Sequence, residues 1–239
     1  MGGQSGGRWA RRRATEDSRL SIAWDGITGA DVLDDAQLAS RHALADAARD
    51  GAWATLLARI AQQPALVNAT RPGGTSLDAP LHQAAYGGAP QEVVAELLRL
   101  GASRMLRDAR RERAVDIAAR CGHRHLVEPL TPQPRRFVPD DTLRAIQRHF
   151  HDMIVGRIAH LRVDALRLPE LEPLLEYDEQ ADRMWFAVPG MYGGFDYALR
   201  TDGDAAVLMS ASWSRVVGGS GQRHEITADG CTLVEEGFV

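Results

Sequence analysis

Apolar residues recur at helical spacing through the first half of the chain and alternate with polar ones through its last quarter. The clearest stretch is Ala79-Pro80-Leu81-His82-Gln83-Ala84-Ala85, followed by Val93-Val94, Leu97-Leu98 and Gly101-Ala102. Leu81, Ala84 and Ala85 fall on one helix face at i, i+3 and i+4. Pro80 suits the first turn of a helix, where its missing N–H costs nothing. Val93, Val94, Leu97, Leu98 and Leu100 make the buried stripe of a second helix, and Gly101 suits the left-handed residue that closes it. The pattern predicts two short antiparallel helices with small residues where they touch. One such pair cannot bury both of its faces, so copies should flank it. Ala114-Val115-Asp116-Ile117-Ala118-Ala119 matches Pro80 to Ala85 in order, and Gly122-His123, Leu126-Val127 and Leu130 continue the match. His82 and Asp116 hold the same slot, 34 residues apart, and the extra residue fits in Gly87-Gly88-Ala89-Pro90. A weaker copy lies upstream in Leu44-Ala45-Asp46-Ala47-Ala48, Gly51, Leu56-Leu57 and Ile60, led by a helix that Asp34-Asp35 can cap.

Beyond Thr131-Pro132-Gln133-Pro134 the pattern changes. Asp140-Asp141 can cap a long amphipathic helix whose apolar positions are Leu143, Ile146, Phe150, Met153, Ile154, Ile158 and Leu161. Leu166 to Leu175, with two prolines, reads as a shorter helix or turn. From Met184 the period falls to two. Strands are predicted at Trp185–Val188, Phe195–Leu199, Ala206–Val217 (one long strand, with room for a bulge), Gln222–Thr227 and Cys231–Glu235. Turns at Pro189-Gly190, Thr201–Asp204 and Asp229-Gly230 join them. Tight turns between successive strands predict an antiparallel meander, with its edge resting on the long helix.

Residues 41–132 resemble the ankyrin-repeat family through Ala79 to Ala85 and the matched slots. The family's usual Thr is Ala79 here, and the Thr-Pro of the next copy is Arg113-Ala114. The repeat followed by Val188-Pro189-Gly190-Met191-Tyr192-Gly193-Gly194-Phe195 and Ser212 to His224 is similar to bacterial ankyrin-repeat proteins with an uncharacterised C-terminal β-rich domain. The resemblance implies about three repeats, degenerate at both ends, and protein–protein interaction as the role. It implies no reaction. His82 falls in the slot where the family's imidazole bonds backbone between neighbouring turns.

Net charge is −4, which gives no global reason to expect nucleic acid. The chain has no lysine, which removes the phosphate-loop, Schiff-base and kinase lysines together. Excess Arg, Ala and Gly suits a GC-rich bacterial genome. Two cysteines, Cys121 and Cys231, fit a reducing cytosol. No run is long enough to cross a bilayer. Met1 to Arg13 is Gly-rich and then basic, without the apolar centre of a secretory signal.

Candidate binding residues fall in three places. The loop Ser103 to Arg113 carries Arg104, Arg107, Arg110, Arg111 and Arg113, whose forks suit the carboxylates of an acidic partner. Gln83 and Tyr86 should face the groove of the repeat. Ser214, Arg215, Ser220, Gln222, Arg223 and His224 flank Gly218-Gly219-Ser220-Gly221, where an anion could sit. Gln222 and His224 would share one strand face, and Arg223 would take the other. Asp196, Tyr197 and Ser214 could join His224 on adjacent strands, but a Ser–His–Asp set would need contacts that spacing does not establish, and Gly-x-Ser-x-Gly is absent. The His pairs 123/125 and 149/151 are spaced i, i+2, which makes no zinc site.

The expected architecture is α+β. A disordered leader covers 1–19, an ankyrin-repeat helical solenoid 20–132, and a small α+β domain with an antiparallel meander and one long helix 136–239. The expected function is a cytoplasmic protein–protein interaction module. It would be an adaptor with no catalytic residues, no cofactor, no metal, no nucleic acid and no membrane partner. The alternatives are a sensor or enzyme for a small anionic ligand in the β-domain, or an immunity or antitoxin-like binding protein.

Overall fold

Asp34 starts the first helix by accepting the Gln37 N–H at 2.7 Å, while Gln37 reaches back to the Asp34 N–H. In the computed structural model, which describes residues 21–177, 183–202, 205–215 and 219–238, this helix is α1, Asp35–Arg49. It is followed by α2 (Trp53–Gln62), α3 (Pro80–Tyr86), α4 (Gln91–Arg99), α5 (Ala114–Arg120) and α6 (Arg124–Leu130). The expected leader at 1–19, Gly203-Asp204 and Val216–Gly218 lie outside the described residues.

The three helix pairs share one turn. Gly51, Gly88 and Gly122 each take a positive φ, which glycine adopts without a Cβ penalty. The next amide then bonds back into the first helix: Ala52 to Ala47, Ala89 to Ala84 and His123 to Ala118. Helices α1, α3 and α5 stack side by side, and α2, α4 and α6 form a second row behind them. Alanines 47, 48, 84, 85, 114 and 118 fill the contact and are buried. Val94, Leu97, Leu126 and Leu130 have no exposed surface, which is worth about 1.5–3 kcal/mol for each side chain.

Histidine ties neighbouring pairs together. His82 Nδ1 accepts the Ala79 N–H at 3.1 Å, so the ring proton sits on Nε2 and is donated to the Leu106 carbonyl at 3.1 Å. Burial holds this imidazole below its ordinary pKa, in the neutral form that the two bonds require. Asp116 serves the Arg113 N–H in the same way, at 2.8 Å, in the matching slot. His42, His123 and His125 also bond backbone carbonyls, of Pro72, Tyr86 and Ala89.

The second half opens with α7, Asp140–Arg157, and continues into the sheet. The strands are β1 (Ser21–Trp24), β2 (Arg183–Val188), β3 (Gly193–Asp202), β4 (Ala205–Ser214), β5 (Ser220–Ile226) and β6 (Cys231–Phe238). They lie in the order β1-β2-β3-β4-β5-β6. Overall the described residues make a mixed α+β structure of seven α-helices and one six-stranded sheet. Gly193 and Gly194 start β3 because a Cβ there would meet the Trp213 and Phe186 carbonyl oxygens at 1.9 and 2.1 Å.

Three expectations are corrected. The meander is antiparallel from β2 to β6, but β1 lies parallel on β2, so the sheet is mixed. Ser21–Trp24, expected at the front of the helical half, therefore belongs to the sheet. It reaches it because the backbone of 26–28 is bonded to Arg167 and Ala165. The bulge lies between Arg223 and His224, where β5 meets β6, and not in β4. Helix α7 covers a face of the sheet and not its edge: Leu143, Ile146, Phe150 and Ile154 share a core with Met184, Phe186, Phe195, Tyr197 and Leu208.

Replacing His82 with Ala leaves a buried amide and a buried carbonyl without partners. Urea unfolding of His82→Ala is expected to show a loss of about 2–4 kcal/mol. Asp116→Ala, at the exposed counterpart, should lose less than half as much.

Candidate functional site

The loop arginines are mostly engaged within the chain. Arg107 makes a two-pronged bond to Glu172, at 3.0 and 3.2 Å, and Arg113 donates to the same carboxylate at 2.8 Å. Arg104 donates to the Pro129 carbonyl at 2.8 Å, and Arg111 stands 3.8 Å from Glu170. Arg167 joins the seam from the other side, bonding Glu170 and the Arg107 carbonyl. Its guanidinium lies 5.4 Å from the Trp24 ring, whose Nε1 donates to the Arg167 carbonyl. Burial works to raise the Glu172 pKa, but the bonds from Arg113 and Arg107 prevail and hold it below the ordinary carboxylate range. The reading of Arg104, Arg107 and Arg113 as contacts for an outside partner is therefore corrected. Arg110 and Arg111 stay exposed.

Gln83 does face a groove. The cavity between α1, α3 and the 67–79 loop has a volume of about 150 Å³. Leu44, Ala45, Ala48 and Pro80 give it apolar walls, and Thr70, Ser76, Asp78 and Gln83 give it polar ones. Arg41, Arg49 and Arg71 stand at its rim with their charges already paired. Arg41 meets Asp25, Arg71 meets Asp46, and Arg49 meets Asp46 and Asp50. Thr70 is 4% exposed and its hydroxyl has no hydrogen-bond partner among the described residues. Gln83 donates to Asp78 at 3.0 Å. Tyr86, expected beside Gln83, projects from the far end of α3 outside this lining and is 63% exposed.

The six residues expected around Gly218–Gly221 do not converge. Ser214 donates to the Met191 carbonyl at 3.0 Å, and Arg215 is exposed. Gln222 bonds Glu236 at 2.8 Å. Gln222 and His224 share the helix-facing side of β5, as their spacing predicts, while Arg223 lies on the other face, 3.5 Å from Glu235. Asp196 is also on that other face, bonded to Arg183, so it cannot orient His224.

Of the groups beside His224, Tyr197 was a sequence candidate, and Ser210 and Ser212 of β4 were not. Ser210 is its direct cross-strand partner and Tyr197 is the partner of Ser210 in turn. Tyr197, Ser210, Ser212 and His224 are buried, and the hydroxyls and the His224 Nδ1 have no hydrogen-bond partners among the described residues. Arg157, from the last turn of α7, donates to the Ser220 carbonyl and hydroxyl at 2.9 and 2.5 Å. The alternation Leu208-Met209-Ser210-Ala211-Ser212 was the available signal, since it puts two serines on a strand's buried face. The row is not a catalytic dyad. Ser210 and His224 do not bond each other, and both lie under α7. Among the described residues no group of three or more His, Cys, Asp and Glu could hold a metal ion, and no helix is long and apolar enough to cross a membrane.

No protein-family model matches the chain, and no curated protein is significantly similar to it.

Two measurements follow. Glu172→Gln leaves two half-buried guanidiniums without their carboxylate. Chemical denaturation should show a loss of about 1–3 kcal/mol at neutral pH. Burial, reinforced by the Arg157 charge and opposed by Glu236, lowers the His224 pKa. The unfolded chain then binds a proton that the folded chain refuses. Stability is therefore full above about pH 6.5 and falls below it, by up to about 1.4 kcal/mol per pH unit for each such histidine. His224→Leu should flatten that acid slope while changing neutral-pH stability by less than about 1 kcal/mol.

Proposed function

We propose that the chain is a protein-binding module of the ankyrin type, without catalytic activity of its own. It would grip its partner through the groove between α1 and α3. Supporting the repeat reading are the three matched turns, the His82 and Asp116 slot 34 residues apart and the two rows of stacked helices. One observation carries the choice of face. The loop arginines from 104 to 113 are largely committed to Glu170 and Glu172, whereas the groove at Thr70, Asp78 and Gln83 is open and holds a buried hydroxyl without a partner. Exposed Arg110 sits beside it, because the Ala109 N–H bonds the Ser76 carbonyl. The β-sheet half would brace the loop ends of the repeat, and a cytosolic setting suits two free cysteines.

Affinity capture by the full chain, followed by mass spectrometry, tests this. Ala45→Arg places a long side chain in the groove, and Arg215→Ala is a distant control. The Ala45→Arg variant, shown folded by circular dichroism, should lose the specific partners about tenfold or more, a change of 1.4 kcal/mol or more. Recovery of the same partners at equal strength by wild type and Ala45→Arg would end this reading.

A further inference from the structure

Among the charged groups that line the α1–α3 groove, one lacks an opposite charge. Arg41, Arg49 and Arg71 are each within an ion pair, to Asp25, Asp46 and Asp50. Asp78 has no ion pair among the described residues. Its carboxylate accepts from the Gln83 amide at 3.0 Å and from the Ser76 hydroxyl. The groove therefore offers an unneutralised carboxylate beside two acceptor oxygens, those of the Gln83 amide and the Thr70 hydroxyl. Thr70 Oγ1 is buried and unbonded. Below them, Leu44, Ala45, Ala48 and Pro80 form an apolar floor.

This is the complement of a basic side chain, with an aliphatic stem to lie on apolar walls and a cationic head to meet a carboxylate and neutral acceptors. A volume of about 150 Å³ takes a guanidinium or ammonium group with part of its stem, but not a folded segment. An acidic side chain fits worse, since its charge would face Asp78 and the guanidiniums at the rim are already spent. Burial pushes the Asp78 carboxyl above its ordinary pKa. The bond from Ser76 and the Arg110 charge only partly offset this, and Asp108 adds to it. An arriving cation would relieve that cost. We infer that the α1–α3 groove receives an arginine or lysine side chain of the partner protein, with Asp78 as its counter-ion and Gln83 and Thr70 as hydrogen-bond acceptors. The inference rests on the reading of the groove as the partner-binding face.

The test is an NMR titration of the full chain with blocked single residues at matched ionic strength. The probes are N-acetyl-arginine amide and N-acetyl-lysine amide, against N-acetyl-norleucine amide and N-acetyl-glutamate amide. The two cations are expected to shift the Thr70, Asp78 and Gln83 amides saturably. The neutral and anionic probes should bind there about tenfold more weakly or not at all. Asp78→Asn keeps the side-chain shape and should abolish the preference for the cations, while resonances far from the groove stay in place. Thr70→Val, which removes only the acceptor, should weaken it by a smaller factor. Equal binding of the neutral probe, tighter binding of the glutamate probe, or an unchanged titration in Asp78→Asn would each overturn the inference. If the cations bind as expected but Ala45→Arg leaves partner capture intact, the cation site stands and the partner-binding role of the groove falls. If capture is lost in Ala45→Arg while no cation binds, the groove is the interface and the basic occupant is wrong.

Discussion

The loops that join the helix pairs are fastened to the 167–172 segment ahead of β2, and most of what this chain can present to another molecule depends on that. Glu172 sits between Arg107 and Arg113, and Glu170 answers Arg111 and Arg167. An isolated exposed ion pair is worth little, but here two guanidiniums share one half-buried carboxylate, and Arg167 adds a bond to the Arg107 carbonyl across the same seam. Apolar packing follows the charges. Ala79 and Leu106, from the loops of the helical half, belong to the same buried cluster as Trp24, Phe150 and Phe186. Separating the halves would expose that cluster and strand the arginines together, so the halves hold each other in place.

The first strand tightens this arrangement. β1 is laid parallel against β2, although the whole helical half lies between them in the chain. A parallel neighbour needs a crossover connection, and here the crossover is the set of helix pairs itself. Asp25, just after β1, then meets Arg41 on α1, and the Thr28 carbonyl accepts the Gly73 N–H. Burial raises the Asp25 pKa, and the nearby Arg41 charge works against that rise. The stack of helices is thus held at two ends of its loop edge, by the 25–28 segment and by the 167–172 segment. Between them Ala79 to His82 are buried, and Ser76, Asp78 and Gln83 keep an accessible side.

What could be read from the sequence follows from the range of each signal. Pro80, Gly88, Gly122 and the matched 34-residue slot act within a few residues of themselves, and the helix pairs stand where those residues put them. Alternation from Met184 to Glu235 is equally local, so five strands and the faces of Gln222, Arg223 and His224 were legible. The partners of the loop arginines were not, because Glu170 and Glu172 lie about sixty residues further along and carry no mark of where they dock. The same holds for Arg157 at Ser220 and for β1, whose four residues are too few to show a period. Five clustered arginines read as a free basic patch because composition records charge and not its partners. Gln83 was placed for the opposite reason: its half-buried position on the groove side of α3 follows from the local helix period.

Access, more than chemical type, separates the two polar clusters of this protein. The row Tyr197, Ser210, His224 holds more reactive groups than the groove, with an imidazole and a hydroxyl on adjacent strands. Yet its members are at least nine-tenths buried and roofed by α7, and the carboxylate that would orient the imidazole lies on the opposite face of the sheet. Buried polar atoms without partners cost stability and can be tolerated where the surrounding core is large. Catalysis needs a path for substrate and a bond between nucleophile and base, and this row shows neither. Asp78 and Gln83 are chemically plainer, but they are only partly buried and, above buried Thr70, they line a concavity. An unneutralised carboxylate there is the group best placed to meet something from outside.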